Sequence, residues 1–168
     1  MTPLTIESVA DDHRIAKLAA LAITLHLAEA VLPSPLPGVK PGIANIVTLY
    51  ALYQYGFGTA VWVSLLRVFA VSLLFGNFLS PTFVLSLTGA LMSLVVLWLS
   101  QNLSARFFSC VSVSIFAAFA HIAGQLLVAW LWLIPHSGIL YLVPVFSAAA
   151  LLFGTLNGLI TAKLLATR

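Results

Sequence analysis

The chain has 168 residues, 62% of them hydrophobic and only 7% charged, with seven Lys plus Arg against four Asp plus Glu. A soluble domain carries about 25% charged residues, so these few charges cannot clothe the molecule in water, and a mean hydropathy of +1.14 makes lipid the solvent for most of its surface. The basic residues Arg14, Lys17, Lys40, Arg67, Arg106, Lys163 and Arg168 lie singly, which excludes a phosphate-tracking patch for nucleic acid.

A hydrocarbon core of about 30 Å needs about 20 apolar residues per helix. Six segments are predicted to cross or enter it: 14–32, 42–55, 58–79, 81–100, 107–133 and 138–165. Residues 1–13 form a polar N-terminal segment, expected in the cytoplasm. They hold Glu7, Asp11 and Asp12, the reverse of the basic start of a cleaved signal, so the first apolar stretch reads as a retained anchor. "PSPLPG" at 33–38 breaks the chain before the second segment, which is short for a span and is predicted to be tilted or partly penetrating. "YGFG" at 55–58, Pro81, "SQNLSAR" at 100–106 and "IPHSG" at 134–138 separate the rest. The expected fold is all-α, a polytopic bundle of six transmembrane helices forming one domain over 14–168. With six spans, Arg14, Lys17, Arg106, Lys163 and Arg168 share one side and Lys40 lies alone on the other. The excess of Lys and Arg on cytoplasmic loops then puts both termini in the cytoplasm.

Each span carries small or polar residues at helical spacing, the pattern of helix–helix contact. In chain order the stripes are Ala22, His26 and Glu29; Gly42, Asn45 and Thr48; Ala60, Ser64, Arg67 and Val71; Ser86, Gly89, Ala90 and Ser93; Ser114, Ala118, His121 and Gln125; and Ser147, Ala150, Gly154 and Asn157. Gly154-x-x-x-Gly158 permits close packing within the bundle or across a dimer seam.

The ionisable members ask for more. A charge at bilayer depth costs at least about 2.5–3.5 kcal/mol, so Arg67 must face a partner or water. Odd spans run outward and even spans inward, which gathers Glu29, Lys40, Asn45, Asn77 and Gln125 in the outer half, with Arg67 and His121 below them. That placement predicts a polar cavity open to the outside and closed toward the cytoplasm. A buried ion pair, Glu29 with Arg67 or with Lys40, is the structural alternative. Lys40 precedes the second helix and Asn45 lies one turn in, so the positive end of that helix offers a corner friendly to anions. Lys40, Asn45 and Arg67 are expected to hold a negative or carbonyl-rich head group, with Glu29 pairing a cation or one of these residues. Phe75, Phe78 and Tyr141 are candidates for an apolar wall. Trp62, Trp98, Trp130, Trp132 and Tyr141 near span ends suit a membrane-interface belt.

Catalysis by this chain is not expected. It has no phosphate-binding Gly-x-x-x-x-Gly-Lys-Ser/Thr loop, no paired acidic clusters to hold Mg²⁺ on a diphosphate, and no Ser/His/acid order. Neither a metal nor a cofactor is expected. The single Cys110 rules out an internal disulfide.

"PGVKPGIANIVTLYAL" (37–52), "SLLRVFAVSLLFGNF" (64–78), "SLTGALMSLVV" (86–96), "AHIAGQLLVA" (120–129) and "YLVPVFSAAALLFGTLNGLI" (141–160) follow one another in a specific order and spacing. Together they resemble a bacterial membrane family known by two descriptions, heptaprenyl diphosphate synthase component I and the Gx transporter family, over roughly 20–165. In that family the histidine of the fifth span is typically followed by asparagine, where this chain has Ile122. The family looks like the S components of energy-coupling-factor transporters, six-helix proteins that capture small molecules from outside. This resemblance implies residence in the bacterial cytoplasmic membrane, a small-molecule ligand, and partnership with a coupling subunit and its ATPases. S components dock through Ala-x-x-x-Ala on the first helix, and Ala16 and Ala20 stand at a matching place. The synthase description implies instead a non-catalytic membrane subunit beside an isoprenoid-forming enzyme.

Overall fold

The computed structural model describes residues 10–31, 41–102 and 108–167. Among them stand six α-helices and no strand: α1 Ala10–Val31, α2 Ala44–Tyr55, α3 Phe57–Leu74, α4 Pro81–Ser100, α5 Cys110–Val128 and α6 Val143–Ala166. This is the all-α bundle expected. Four helical stretches, Phe57–Leu74, Pro81–Ser100, Cys110–Leu133 and Ser137–Ala166, are long and apolar enough to cross a membrane. Helix α1 has the length but carries Asp11, Asp12, Arg14, Lys17 and Glu29. It begins at Ala10, ahead of the expected start at residue 14, with Asp11 paired to Arg14 at 2.7 Å.

The short α2 survives because protein surrounds it. Its 12 residues extend only about 18 Å at 1.5 Å per residue, too little to span the hydrocarbon. Ala44, Ile46, Val47, Thr48, Leu49, Ala51 and Leu52 are all buried, against α1, α3 and α6. Backbone ends at membrane depth are tolerated only where protein satisfies them, and α2 meets that condition.

Helix ends follow local chemistry. The third span stops at Leu74 rather than residue 79, because Gly76 takes a left-handed φ of 67°. Its N–H donates to the Leu73 carbonyl, and Asn77 N–H donates back to Ser72 at 2.8 Å, the pair of bonds that closes a glycine-terminated helix. Asn77 therefore sits in the turn. Ser80 then caps α4, its Oγ accepting Phe83 N–H at 3.3 Å with Pro81 opening the helix, where a missing N–H costs nothing. Beyond Val128 the chain widens into a π turn, Ala129–Leu133. After Pro135, His136 Nδ1 accepts Gly138 N–H at 2.9 Å and starts a 3₁₀ turn, Ser137–Leu142, before α6.

The packing is antiparallel and close. A Cβ on Gly154 would lie 2.9 Å from Ile115 Cα, and one on Gly158 2.7 Å from Val111 Cα. The Gly154/Gly158 pair thus seats α6 on α5 inside one bundle. Ala22, Val47, Leu52, Val63, Leu94, Leu97, Val113 and Ala117 form the main apolar core. Most come from the first halves of α3 and α5 and the last half of α4, joined by Ala22 from the middle of α1 and Val47 and Leu52 from α2, so the solid part of the bundle lies toward the end that bears the termini. Arg14, Lys17 and Lys163 mark that end, which the charge rule assigns to the cytoplasm.

The outward surface is apolar, as lipid requires. Trp62 and Trp98 face out near the terminus-bearing end, and Trp130, Trp132 and Tyr141 near the other. Two aromatic girdles result, the arrangement that places amphipathic rings at both interfaces.

Candidate functional site

The polar stripes turn inward. Ala22, Ala60, Ser64, Arg67, Val71, Ala90, Ser114, Ala150 and Asn157 are all buried. In the half of the bundle away from the termini they do not close on one another, and a cavity of about 440 Å³ remains. It takes residues from the later parts of α1, α3 and α5 and from the starts of α2, α4 and α6. Glu29, Asn45, Arg67, Asn77, His121 and Gln125 all line it, joined by His26, Ser72 and Asn157. The six lie on four helices and a turn, and the fold brings them to one space. Lys40 lies outside the described residues.

Glu29 is 4% exposed, and its carboxylate has a specific task. Gly42 N–H donates to Oε1, and Ile43 N–H donates to Oε2 at 3.2 Å. A side chain of α1 thus fills the positive end of α2, where charge and dipole agree. The corner that the sequence offers to an external anion is taken from inside. Glu29 and Arg67 attract each other electrostatically, but no direct salt bridge of the kind considered above joins them. Asn157, reaching across from α6, donates Nδ2–H bonds to the carbonyls of Pro41 and Gly42, each at 3.2 Å. Gly42 itself holds a φ of 67°, a conformation glycine adopts without steric cost. The entry to α2 is therefore bolted to α1 and α6 at once.

Arg67 is the exposed question of the site. It is 5% exposed, lines the cavity floor, and makes no hydrogen bond or ion pair with a described residue; its buried Nε has no partner. Beside it the His121 ring presses on α4, where a Cβ on Gly89 would come within 2.7 Å of Nε2. Gly89, which the sequence shows only as one small residue in a stripe, leaves the room that the His121 ring occupies. Below the floor lies a second, small chamber of about 20 Å³, lined in part by Thr48, Ser64, Ser93 and Ser114. Asn45, Arg67, His121 and Asn157 border both spaces. Asn157, a member of the sixth-span stripe, joins the site without being among the residues expected to bind a ligand.

The cavity wall is mostly apolar. Val68, Val71, Leu126, Ile139, Phe146 and Phe153 line it together with Phe75. Phe78 and Tyr141 are not part of it: Phe78 stacks on Phe83 at 5.1 Å, and Tyr141 is 85% exposed on the outer surface. Among the described residues no three His, Cys, Asp or Glu side chains converge on a metal position. Ala16 and Ala20 lie exposed on α1 in the half that bears the termini, away from the cavity residues of that helix.

A bundle of apolar helices, girdled by aromatics, solid at one end and hollow at the other, defines a multi-pass membrane protein with a cavity of small-molecule size. Residues 18–164 match the sequence model of the heptaprenyl diphosphate synthase component I family, and the chain belongs to that family. No curated protein and no solved structure matches it.

Proposed function

We propose that this chain is the substrate-binding membrane component of a small-molecule transporter, similar to an S component, and that it captures an anionic or amphiphilic ligand from the outer side. The observation that supports this reading is the 440 Å³ cavity, polar at its floor, apolar along its wall and backed by a close-packed apolar core. Ligand pockets span about 300–1,000 Å³ and combine an apolar lining with a few placed polar groups. Arg67, His121 and Asn45 hold the head group at the floor, and Asn77 and Gln125 contact the ligand higher up. Glu29 acts by ordering the entry to α2, and Lys40, next in chain to cavity-lining Pro41, supplies a further cation. The exposed Ala16 and Ala20 form a docking face for a coupling subunit with its ATPases. The setting is the bacterial cytoplasmic membrane.

The family description favours a second reading, a membrane subunit that partners an isoprenoid-forming synthase without doing the chemistry. Native mass spectrometry of protein released gently from membranes separates the two. The first reading expects a retained small molecule that disappears in Arg67→Gln. A ligand-free mass together with a copurifying soluble enzyme subunit would overturn it in favour of the second.

A further inference from the structure

We propose that Arg67 binds a singly charged anion at the floor of the cavity, with one atom of that anion seated in the chamber beneath. The proposal rests on the reading of the cavity as a ligand-capture site and specifies the charge that site accepts.

The starting observation is an imbalance. An arginine side chain stays protonated at neutral pH and can only donate, and burying such a charge without a partner is strongly unfavourable. Arg67 is 95% buried by complement of its 5% exposure, yet no described residue bonds to it. Glu29 shares the cavity but is engaged by Gly42 and Ile43. Glu29 attracts Arg67 electrostatically, but no acceptor among the described residues takes a hydrogen bond from the guanidinium, which leaves its donors open to a ligand.

The chamber shows where that charge reaches. Three buried polar atoms lack partners, Thr48 Oγ1, Arg67 Nε and His121 Nδ1, and all three residues line the chamber. Orphaned buried groups converging on one space mark an absent water or ion. Hydroxyls of Ser64, Ser93 and Ser114 complete the wall, and no carboxylate is among its lining residues. With the Arg67 guanidinium as its one charge and hydroxyls free to turn their O–H groups inward, the shell can receive an anion. Its volume, about 20 Å³, compares with the roughly 10–15 Å³ that one water molecule needs. One carboxylate oxygen or one halide fits there, and a phosphate group does not.

Charge balance gives the same answer. Among the described cavity-lining residues Arg67 is the one Lys or Arg, and Glu29 is the one Asp or Glu. A diphosphate would bring several negative charges into a low-dielectric space in which Arg67 is the one cation among the described lining residues, a costly excess. A single negative charge adds the smallest excess and can sit directly on Arg67. Two sources share this chemistry: the carboxylate of an amphiphile whose body lies along Leu126, Phe146 and Phe153, or a free inorganic monoanion.

The test is thermal unfolding of the full-length protein in lipid nanodiscs, titrated at constant ionic strength with sodium chloride, sodium octanoate or sodium pyrophosphate. Binding to the folded state raises the apparent melting temperature. Chloride or octanoate is expected to stabilise the wild-type protein saturably, with the effect weakened by about tenfold or more in Arg67→Gln, the scale of a lost charged hydrogen bond. Arg67→Lys is expected to keep a response, and Thr48→Val to reduce it, which preserves a readout if Arg67→Gln does not fold. A chloride response identifies the inorganic source, and a response to octanoate alone identifies a head group. Equal responses to chloride and octanoate in wild type and in the Arg67 and Thr48 variants would overturn the proposal. So would stabilisation by pyrophosphate at lower concentrations than either monoanion. That result would leave the capture reading intact, because a retained ligand held by other residues would still appear in the mass spectrum.

Discussion

Single residues in this bundle divide sharply between those that hold the backbone and those that face the cavity. Glu29 is of the first kind despite its charge. Glu29→Gln leaves one acceptor for two backbone N–H groups, and an unsatisfied buried donor costs about 1–3 kcal/mol. The variant is expected to unfold at a lower temperature in detergent while retaining a cavity. Gly89 lines neither space but acts on a residue of the second kind, because it lies against the His121 ring. In Gly89→Ala the new Cβ would fall 2.7 Å from His121 Nε2, at the far end of a side chain that can swing away. Replacing a mid-helix glycine gains about 0.5–1 kcal/mol of helix stability, which offsets the displacement. Near-native melting with reduced ligand retention by mass spectrometry is the expected outcome; full retention would remove His121 from the site.

At the scale of elements, the question is what makes helices adhere when lipid is as apolar as their side chains. Small residues answer it by letting backbones approach. The α5–α6 seam is the clearest case, because the obstructing atom there is backbone: a Cβ on Gly158 would lie 2.7 Å from Val111 Cα. Gly158→Ala is therefore expected to cost about 1–3 kcal/mol, the range for overpacking, seen as a lower melting temperature. Because the seam is internal, the oligomeric size by light scattering should not change. A change in size without loss of stability would instead place these glycines between molecules. The helix limits carry a similar lesson. Hydropathy extends the third span to residue 79, yet Gly76 ends the helix at Leu74, since a run of apolar residues records lipid exposure and not the last helical hydrogen bond.

For the molecule as a whole, the division into a close-packed half and a hollow half has meaning only with an orientation. Cysteine labelling measures it. With Cys110→Ala as background, Leu140→Cys in the turn before α6 and Thr167→Cys at its far end sit at opposite ends of the bundle. A membrane-impermeant maleimide is expected to label Leu140→Cys in intact cells and Thr167→Cys only after permeabilisation. The reverse pattern would turn the cavity toward the cytoplasm and exclude capture from outside.

Amino-acid composition by itself determined the solvent and therefore the class, because so few charges leave no alternative to lipid. Periodicity likewise determined which face of each helix turns inward, since small and polar residues three and four apart must share a side. With the alternation of spans, it also placed Glu29, Asn45, Arg67, Asn77, His121 and Gln125 at one depth range, where the fold gathers them around one cavity. Only the tertiary structure decided which of these groups are already occupied. Glu29 and Lys40 look equally available in the sequence, but Glu29 is spent on Gly42 and Ile43, a contact between α1 and α2 that no local pattern encodes. Asn157 and Gly89 gained their roles in the same way, from neighbours brought close by packing. Hydrogen-bond partners depend on distances of tenths of an ångström across helices remote in sequence, and one-dimensional spacing does not contain them.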